Sequence, residues 1–395
     1  MEPIQALQTS EVWMLLAFLL VCAFIPMLVM SRTVTTLIPE GHMQTRWIDG
    51  LRGLAAAIVS LNHAPYVIGN LAVVPKAFYV SPNDDRFLLM SGALGVQMFF
   101  CITGLLFAGK ILSEKPVDWS DFYAKRVRRV VPAYIAAVLL AIVIAAWFSW
   151  PITQSPTEML AATPNLFSFG LLYMPTINGF NFSRLLGVTW TLAIEWRFYF
   201  VLPLIYLAVK KSKKATFTAI IAFAIADLSI SGVSSWSFFI PGALCSLIAG
   251  KNFGRNVRVI AGVVALAAVV FIYYRSGQKT NYGLEQWLCV SVLFTALTIS
   301  RPSILNLKVF VGMGTVSYSF YLLHSMLLFA VLGAVNFYVV DLGTLSIAKY
   351  AMLAGGTLAL ATIVSTASYL LIEDRYMHKP SKSKVAATRY SVAAK

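Results

Sequence analysis

Long apolar runs joined by short polar connections make up almost the whole of this chain. A window of roughly 20 residues, the helix length that crosses about 30 Å of hydrocarbon, finds apolar segments near 11–30, 50–70, 90–109, 130–149, 188–209, 215–231, 236–250, 258–274, 284–300, 309–332 and 345–371. The pattern predicts an all-α, polytopic transmembrane bundle of about ten core helices plus one extra N-terminal helix. Glu2 and Glu11 precede the first segment, Arg32 follows it and no basic n-region leads it, so it reads as a signal anchor. Three stretches are expected: 1–45, the extra helix and a linker; 46–375, the core; and 376–395, a basic, disordered tail.

The connections alternate in charge. Arg32, Arg46, the run from Lys110 to Arg129, "KKSKK" at 210–214, "KNFGRNVR" at 251–258, Arg301, Lys308 and the tail from Arg375 fall on one side. The other side holds Lys76, Arg86, Arg184, Arg275 and Lys279. The positive-inside rule puts the basic side in the cytoplasm, with the N-terminus outside and the C-terminus inside. The longest outer connection, 150–187, is rich in Pro, Gly, Asn and aromatic residues, and its apolar piece at 160–174 is short for a span, so it reads as a lid or re-entrant segment.

Composition agrees with a membrane protein: of 395 residues, 59% are apolar and 12% charged, with a mean hydropathy of +0.76. The net charge of +15 lies in short runs between apolar segments and not on a separate polar domain, which argues against nucleic-acid binding. The four cysteines all fall in apolar segments with no CxxC, so neither a metal site nor a disulfide framework is expected.

Ionisable groups at membrane depth are expensive and must face protein or a wet cavity. His63, His324 and Glu195 are the ones that stand out. Helix rise places His63 about 20 Å above the cytoplasmic start of its segment, His324 about 15 residues up its own, and Glu195 five to seven residues below an outer end, so all three are expected at one height in the outer half. A neutral imidazole suits removal of a proton from a hydroxyl, and a nearby carboxylate can fix its tautomer; taken alone, a buried His is more often a hydrogen-bonded structural residue, and Glu195 could simply pair with Arg197 or Arg52, so it is the three at one height that point to chemistry. At the cytoplasmic face, Lys125, Arg126, Arg128 and Arg129 in "DFYAKRVRRVVPAY" (121–134) suit a phosphorylated donor or anionic headgroups, or serve topology alone. Arg52 lies one turn into its helix behind Asp49 and either snorkels or points its charge into the bundle.

Five stretches taken in order, "DGLRGLAAAIVSLNH" (49–63), "GVQMFFCITGLLFAGK" (95–110), "DFYAKRVRRVVPAY" (121–134), "TWTLAIEWRFYFVLPL" (189–204) and "GTVSYSFYLLHSMLL" (314–328), resemble the acyltransferase-three family of integral membrane acyltransferases. The likeness covers about residues 46–375. It implies transfer of an acyl group, usually acetyl from cytoplasmic acetyl-CoA, to a hydroxyl of a surface or exported glycan such as lipopolysaccharide or exopolysaccharide, in the bacterial inner membrane. It further implies roles for Arg52 and His63 in the first core helix, for Arg126, Arg128 and Arg129 in donor binding, for Trp190 to Tyr199 with Glu195 as the acid, and for Ser317 to His324, Tyr318 included, in supporting or acceptor contacts. The chain departs from the family pattern in its extra helix at 11–30 and in Thr191 where Ser is common. No metal is implied. The expected partners are acyl-CoA, membrane lipids and a glycan or lipid-linked saccharide. Direct transfer and an acyl-histidine intermediate both remain open.

A reading from another class is a proton-coupled carrier or flippase for a lipid-linked or anionic sugar, with the same His and Glu relaying protons. Matching Gly- or Pro-broken segments in two halves would favour it, and no such repeat is visible.

Overall fold

The computed structural model describes residues 8–36, 45–70, 82–113, 116–275 and 281–377, with the backbone alone for 65–70 and 82–85. The expected tail beyond 377 and most of the linker at 37–44 lie outside these. Helices account for nearly everything: α1 (Thr9–Thr35), α2 (Arg46–Asn70), α3 (Pro82–Leu112), α4 (Trp119–Phe148), α5 (Pro156–Leu166), α6 (Ser183–Leu186), α7 (Trp190–Lys211), α8 (Lys213–Ser231), α9 (Phe239–Cys245), α10 (Arg255–Arg275), α11 (Leu284–Ser300), α12 (Lys308–Thr315), α13 (Ser317–Tyr338), α14 (Ile347–Ser368) and α15 (Asp374–Met377). The protein is an all-α, polytopic bundle.

Among the described residues eight helices are long and apolar enough to cross a membrane, fewer than the eleven segments expected. The difference has three sources. The stretch at 236–250 forms only the short apolar helix Trp236–Cys245, and α11 is 17 residues long. The third, α2, has ample length at 25 residues but carries Arg46, Asp49, Arg52, Asn62 and His63. It tolerates them because it packs against α3, α12 and α13 in the bundle interior, with Trp47, Leu51, Ala55, Ala56, Ala57 and Val59 all buried. A helix wrapped in protein has no need to be apolar all round.

Small residues let α2 sit this deep. A Cβ on Gly50 would meet the Leu305 carbonyl oxygen at 1.8 Å, and one on Gly314 would meet that of Asp49 at 1.8 Å. The close α2–α12 crossing brings the start of α13 beside the start of α2, and Arg52 Nη2 donates to Ser317 Oγ at 3.1 Å. The segment expected as one helix at 309–332 is interrupted at Val316 (φ −89, ψ 5), between α12 and α13.

The 150–187 connection is built as structure. α5 is capped by Ser155, whose Oγ accepts from Glu158 N. A two-residue antiparallel ladder pairs Thr176 with Asn181 and Ile177 with Phe180 around Asn178 and Gly179 at positive φ. The Asn178 side chain ties the turn down: Oδ1 accepts from Thr153 N and Gln154 N, and Nδ2 donates to Ser149 O. Leu166, Phe180, Phe182, Leu185 and Leu186 are buried in the same core as α4 and α13, and Tyr134 donates its hydroxyl to Leu166 O at 2.7 Å.

Candidate active site

At the basic end, α2, α3, α4, α7 and α13 enclose a cavity of about 320 Å³. Four cations line it, Arg52, Lys110, Arg126 and Arg129, with one carboxylate, Glu195. Helix register selects them. On α4, Arg126, Arg129 and Val130 are spaced i, i+3, i+4 and share the face that lines the cavity, whereas Arg128 falls off that face and does not line it. Lys125 likewise turns away to pair with Asp121 at 2.5 Å. The Arg126 guanidinium lies 4.9 Å over the Phe107 ring, and its Nε is buried with no hydrogen-bond partner. That orphan donor, among cations that outnumber the carboxylate, suits an anion with several oxygens.

Glu195 accepts from the Tyr199 hydroxyl one turn along α7. Tyr199 O in turn accepts from Tyr123, and Tyr318 donates to Val130 O at 3.0 Å, so both tyrosines brace the walls. Trp190 is off the cavity, 41% exposed, with its ring edge-on to Tyr282; its neighbour Thr191 lines the cavity instead.

The two histidines meet further along. Their rings lie 5.1 Å apart, edge to face, although His63 and His324 are 261 positions apart in the chain. His324 is fully buried, with its Nδ1 2.9 Å from Phe320 O. A carbonyl only accepts, so Nδ1 carries the proton and Nε2 is a bare acceptor, buried without a partner. Neither histidine lines the basic cavity. His63 is eleven residues beyond Arg52 on α2, about 16 Å by helix rise.

The single height expected for the three groups therefore resolves into two levels. The imidazoles are together, but Glu195 belongs with the arginines. The reason lies before α7: Ser183–Lys211 forms one crossing of 29 residues, so Glu195 is twelve residues into it, about 18 Å deep, instead of near its end. His324 does share the level of His63, as expected, although its segment is interrupted at Val316 and is not the single straight helix from which that height was counted. Tyr321 bridges the levels, since it lines the cavity, shares a hydrogen bond with Thr191 Oγ1 at 2.9 Å, and lies 6.0 Å from the His324 ring.

Sequence reasoning passed over Glu373, 1% exposed, which accepts from Ser319 Oγ at the π-helical turn Tyr369–Glu373. It sits two residues past the last apolar window, where "EDR" reads as an ordinary basic-side connection. Also passed over was a buried polar chain in the opposite half. Arg275 pairs with Glu285 at 2.6 Å and donates to Gln286, Gln286 Nε2 donates to Gln97 Oε1, and Gln97 donates to Asn281 O. Gln97 within "GVQMFF" was the one available signal.

The family model Acyl_transf_3, described as an acyltransferase domain, matches residues 45–366. Across 88% of its length the chain is 25% identical to "Putative membrane-bound transacylase BcsY" of Komagataeibacter xylinus, covering 87% of that protein. It is 28% identical to "Putative O-acetyltransferase SACOL0978" of Staphylococcus aureus strain COL and 23% identical to "O-acetyltransferase OatA" of S. aureus strain NCTC 8325, in each case over 87% of this chain. The chain spans 59% of the length of these two staphylococcal relatives. No solved structure matches.

Proposed function

Because the chain belongs to the acyltransferase-three family of integral membrane acyltransferases, we propose that it is an O-acyltransferase of the bacterial inner membrane. On this reading it moves an acyl group, most simply acetyl, from cytoplasmic acyl-CoA to a hydroxyl of a surface or exported glycan. The observation that carries the reading is the pairing of a cation-lined cavity at the basic end with an imidazole pair about 16 Å further along α2.

A CoA thioester has phosphates at its nucleotide end and its reactive carbonyl at the end of a long pantetheine arm. Arg126, Arg129 and Lys110 hold the phosphates, with the orphan Arg126 Nε as one donor. Arg52, held by Ser317 and by Asp49 at 3.5 Å, lines the way inward. Glu195 offsets the clustered positive charge before the donor arrives. The extended arm spans about the distance to His63, so the acyl group travels inward while the nucleotide stays at the basic face. The acceptor approaches from the other side, beneath the 150–187 connection.

His63 acts as general base. The acceptor O–H proton passes to an imidazole nitrogen as the new O–C(acyl) bond forms; the C–S bond breaks, and the departing sulfur takes the proton back. His324, with Nε2 bare, accepts a hydrogen bond from His63 or from the acceptor hydroxyl and sets its orientation. Family membership weighs against the carrier reading, which needs proton relay but no thioester.

The test is thiol release. Purified protein given acetyl-CoA and a glycan acceptor should liberate CoA thiol and yield a glycan heavier by one acetyl group in the mass spectrum. Transport of a sugar with no thiol release and no mass change would support a carrier instead.

A further inference from the structure

Along α3 the lining of the basic cavity runs from Lys110 to Val96, a rise of about 21 Å. α2 passes α3 in the opposite direction: a Cβ on Gly95 would meet Val59 Cγ2 at 2.6 Å, and one on Gly92 would meet Asn62 Cβ at 2.8 Å. Val96 is therefore level with Ile58, five residues short of His63 on α2, or about 7 Å. A donor whose phosphates stay at Arg126 and Arg129 brings its thioester to this far end of the cavity. The remaining interval fits one acceptor hydroxyl, which needs about 3 Å to the carbonyl carbon and about 3 Å to the imidazole.

Two hydroxyls line the cavity at this end, those of Thr191 and Tyr321, on residues each 7% exposed. The Tyr321 ring lies 5.9 Å from that of Phe99 and 6.0 Å from that of His324, so it stands between the cavity and the imidazoles. The surrounding wall of Val96, Phe99 and Leu192 is apolar. Arg52, six residues back from Ile58, is engaged by Ser317 and Asp49. Thr191 Oγ1 donates to Val188 O at 3.0 Å, Tyr321 Oη donates to the same carbonyl at 3.2 Å, and the two hydroxyl oxygens are 2.9 Å apart. Two hydroxyls carry two protons, so these three bonds are not all made at once. Thr191 satisfies Val188 O at the shorter distance, which lets the Tyr321 proton turn to a charged acceptor, where a hydrogen bond is roughly twice as strong.

We propose that Tyr321 is a further catalytic residue, the hydrogen-bond donor to the oxyanion that forms from the donor's thioester, and that Thr191 positions it. The inference deepens the acyl-transfer reading and rests on it. The acceptor oxygen bonds to the acyl carbon as its proton passes to His63, and the carbonyl electron pair moves onto the carbonyl oxygen, which accepts from Tyr321. On collapse the C=O bond re-forms, the C–S bond breaks and the sulfur takes the proton from His63. Tyr321 keeps its own proton throughout. The donor is preorganised where charge develops, in an apolar wall where such a bond is stronger than in water.

Single-turnover thiol release from acetyl-CoA, in the presence of a glycan acceptor, and CoA affinity are measured on the purified full chain. Tyr321→Phe should slow release roughly 100- to 1,000-fold, as loss of one oxyanion donor does, with CoA affinity within about threefold of the parent. Thr191→Val should slow release about tenfold, the size of one neutral hydrogen bond, and Thr191→Ser should stay within about threefold of the parent. A spectroscopic readout separates donation from packing. The ketone analogue of acetyl-CoA, with a methylene in place of sulfur and an isotope-labelled carbonyl, cannot transfer its acyl group, and its bound C=O stretch should lie lower in the parent than in Tyr321→Phe. The same stretch in both, parent turnover in Tyr321→Phe, or a loss of CoA affinity as large as the loss of rate would each overturn the assignment while leaving acyl transfer standing. No thiol release by the parent would instead sink the acyl-transfer reading, and the inference with it.

Discussion

Arg126 and Arg128 differ by two positions in one helix, yet only the first reaches the cavity. If the cavity holds the donor phosphates, the two should behave differently. Charge-assisted hydrogen bonds contribute about 1.5–3 kcal/mol, so Arg126→Ala should weaken CoA binding roughly 10- to 100-fold, and Arg128→Ala should stay within about threefold of the parent. Isothermal titration of both variants decides this; equal losses would return the whole basic run to topology. At the other level, His324→Ala should lower turnover, by less than the roughly 100-fold minimum expected on removing a general base, and leave CoA affinity unchanged. Parent turnover in a folded His324→Ala protein would remove His324 from the site.

Among the elements, α2 matters most because it carries both Arg52 and His63. Its position depends on glycines. A Cβ on Gly53 would meet the Phe310 carbonyl oxygen at 2.3 Å, and backbone cannot step aside as a flexible side chain can. Gly53→Ala should therefore separate α2 from α12, cost about 1–3 kcal/mol of stability as overpacking does, and disturb the nearby Arg52–Ser317 bond. Thermal unfolding in detergent together with CoA affinity checks this: both should fall, and an unchanged melting temperature would contradict so close a crossing. Much of the element-level picture is legible in the sequence. Apolar runs report spans because hydrocarbon thickness fixes their length, and Arg52, His63 and His324 stand out because charge and imidazole are rare there. What each side chain faces is not legible. A dense run such as "KRVRR" gives no inward face until α4 is packed, and Glu195 appears shallow until Ser183–Thr189 is seen to extend its crossing. Glu373 is hidden because a carboxylate just past an apolar window looks like any connection.

At the scale of the whole molecule, one end is rich in cations and the other carries the ordered 150–187 connection. The basic end is expected in the cytoplasm. Single cysteines at Ser212 and at Ser155, introduced into a chain whose own four cysteines are replaced, should be labelled by a membrane-impermeant maleimide from opposite sides of the membrane, with Ser155 reached in intact cells. Labelling of Ser212 in intact cells would invert the orientation and with it the side from which the donor enters.

The central claim is that donor binding and chemistry occupy two levels of one helix bundle. CoA affinity and single-turnover acyl transfer, measured together on Arg129→Ala and His63→Ala, test it most directly. The account predicts a crossed result: Arg129→Ala loses CoA affinity roughly 10- to 100-fold and recovers much of its transfer rate at saturating donor, while His63→Ala binds CoA like the parent and transfers about 100- to 10,000-fold more slowly. If His63→Ala lost CoA affinity as far as Arg129→Ala and kept its rate at saturation, the two levels would be a single binding site and the account would be wrong.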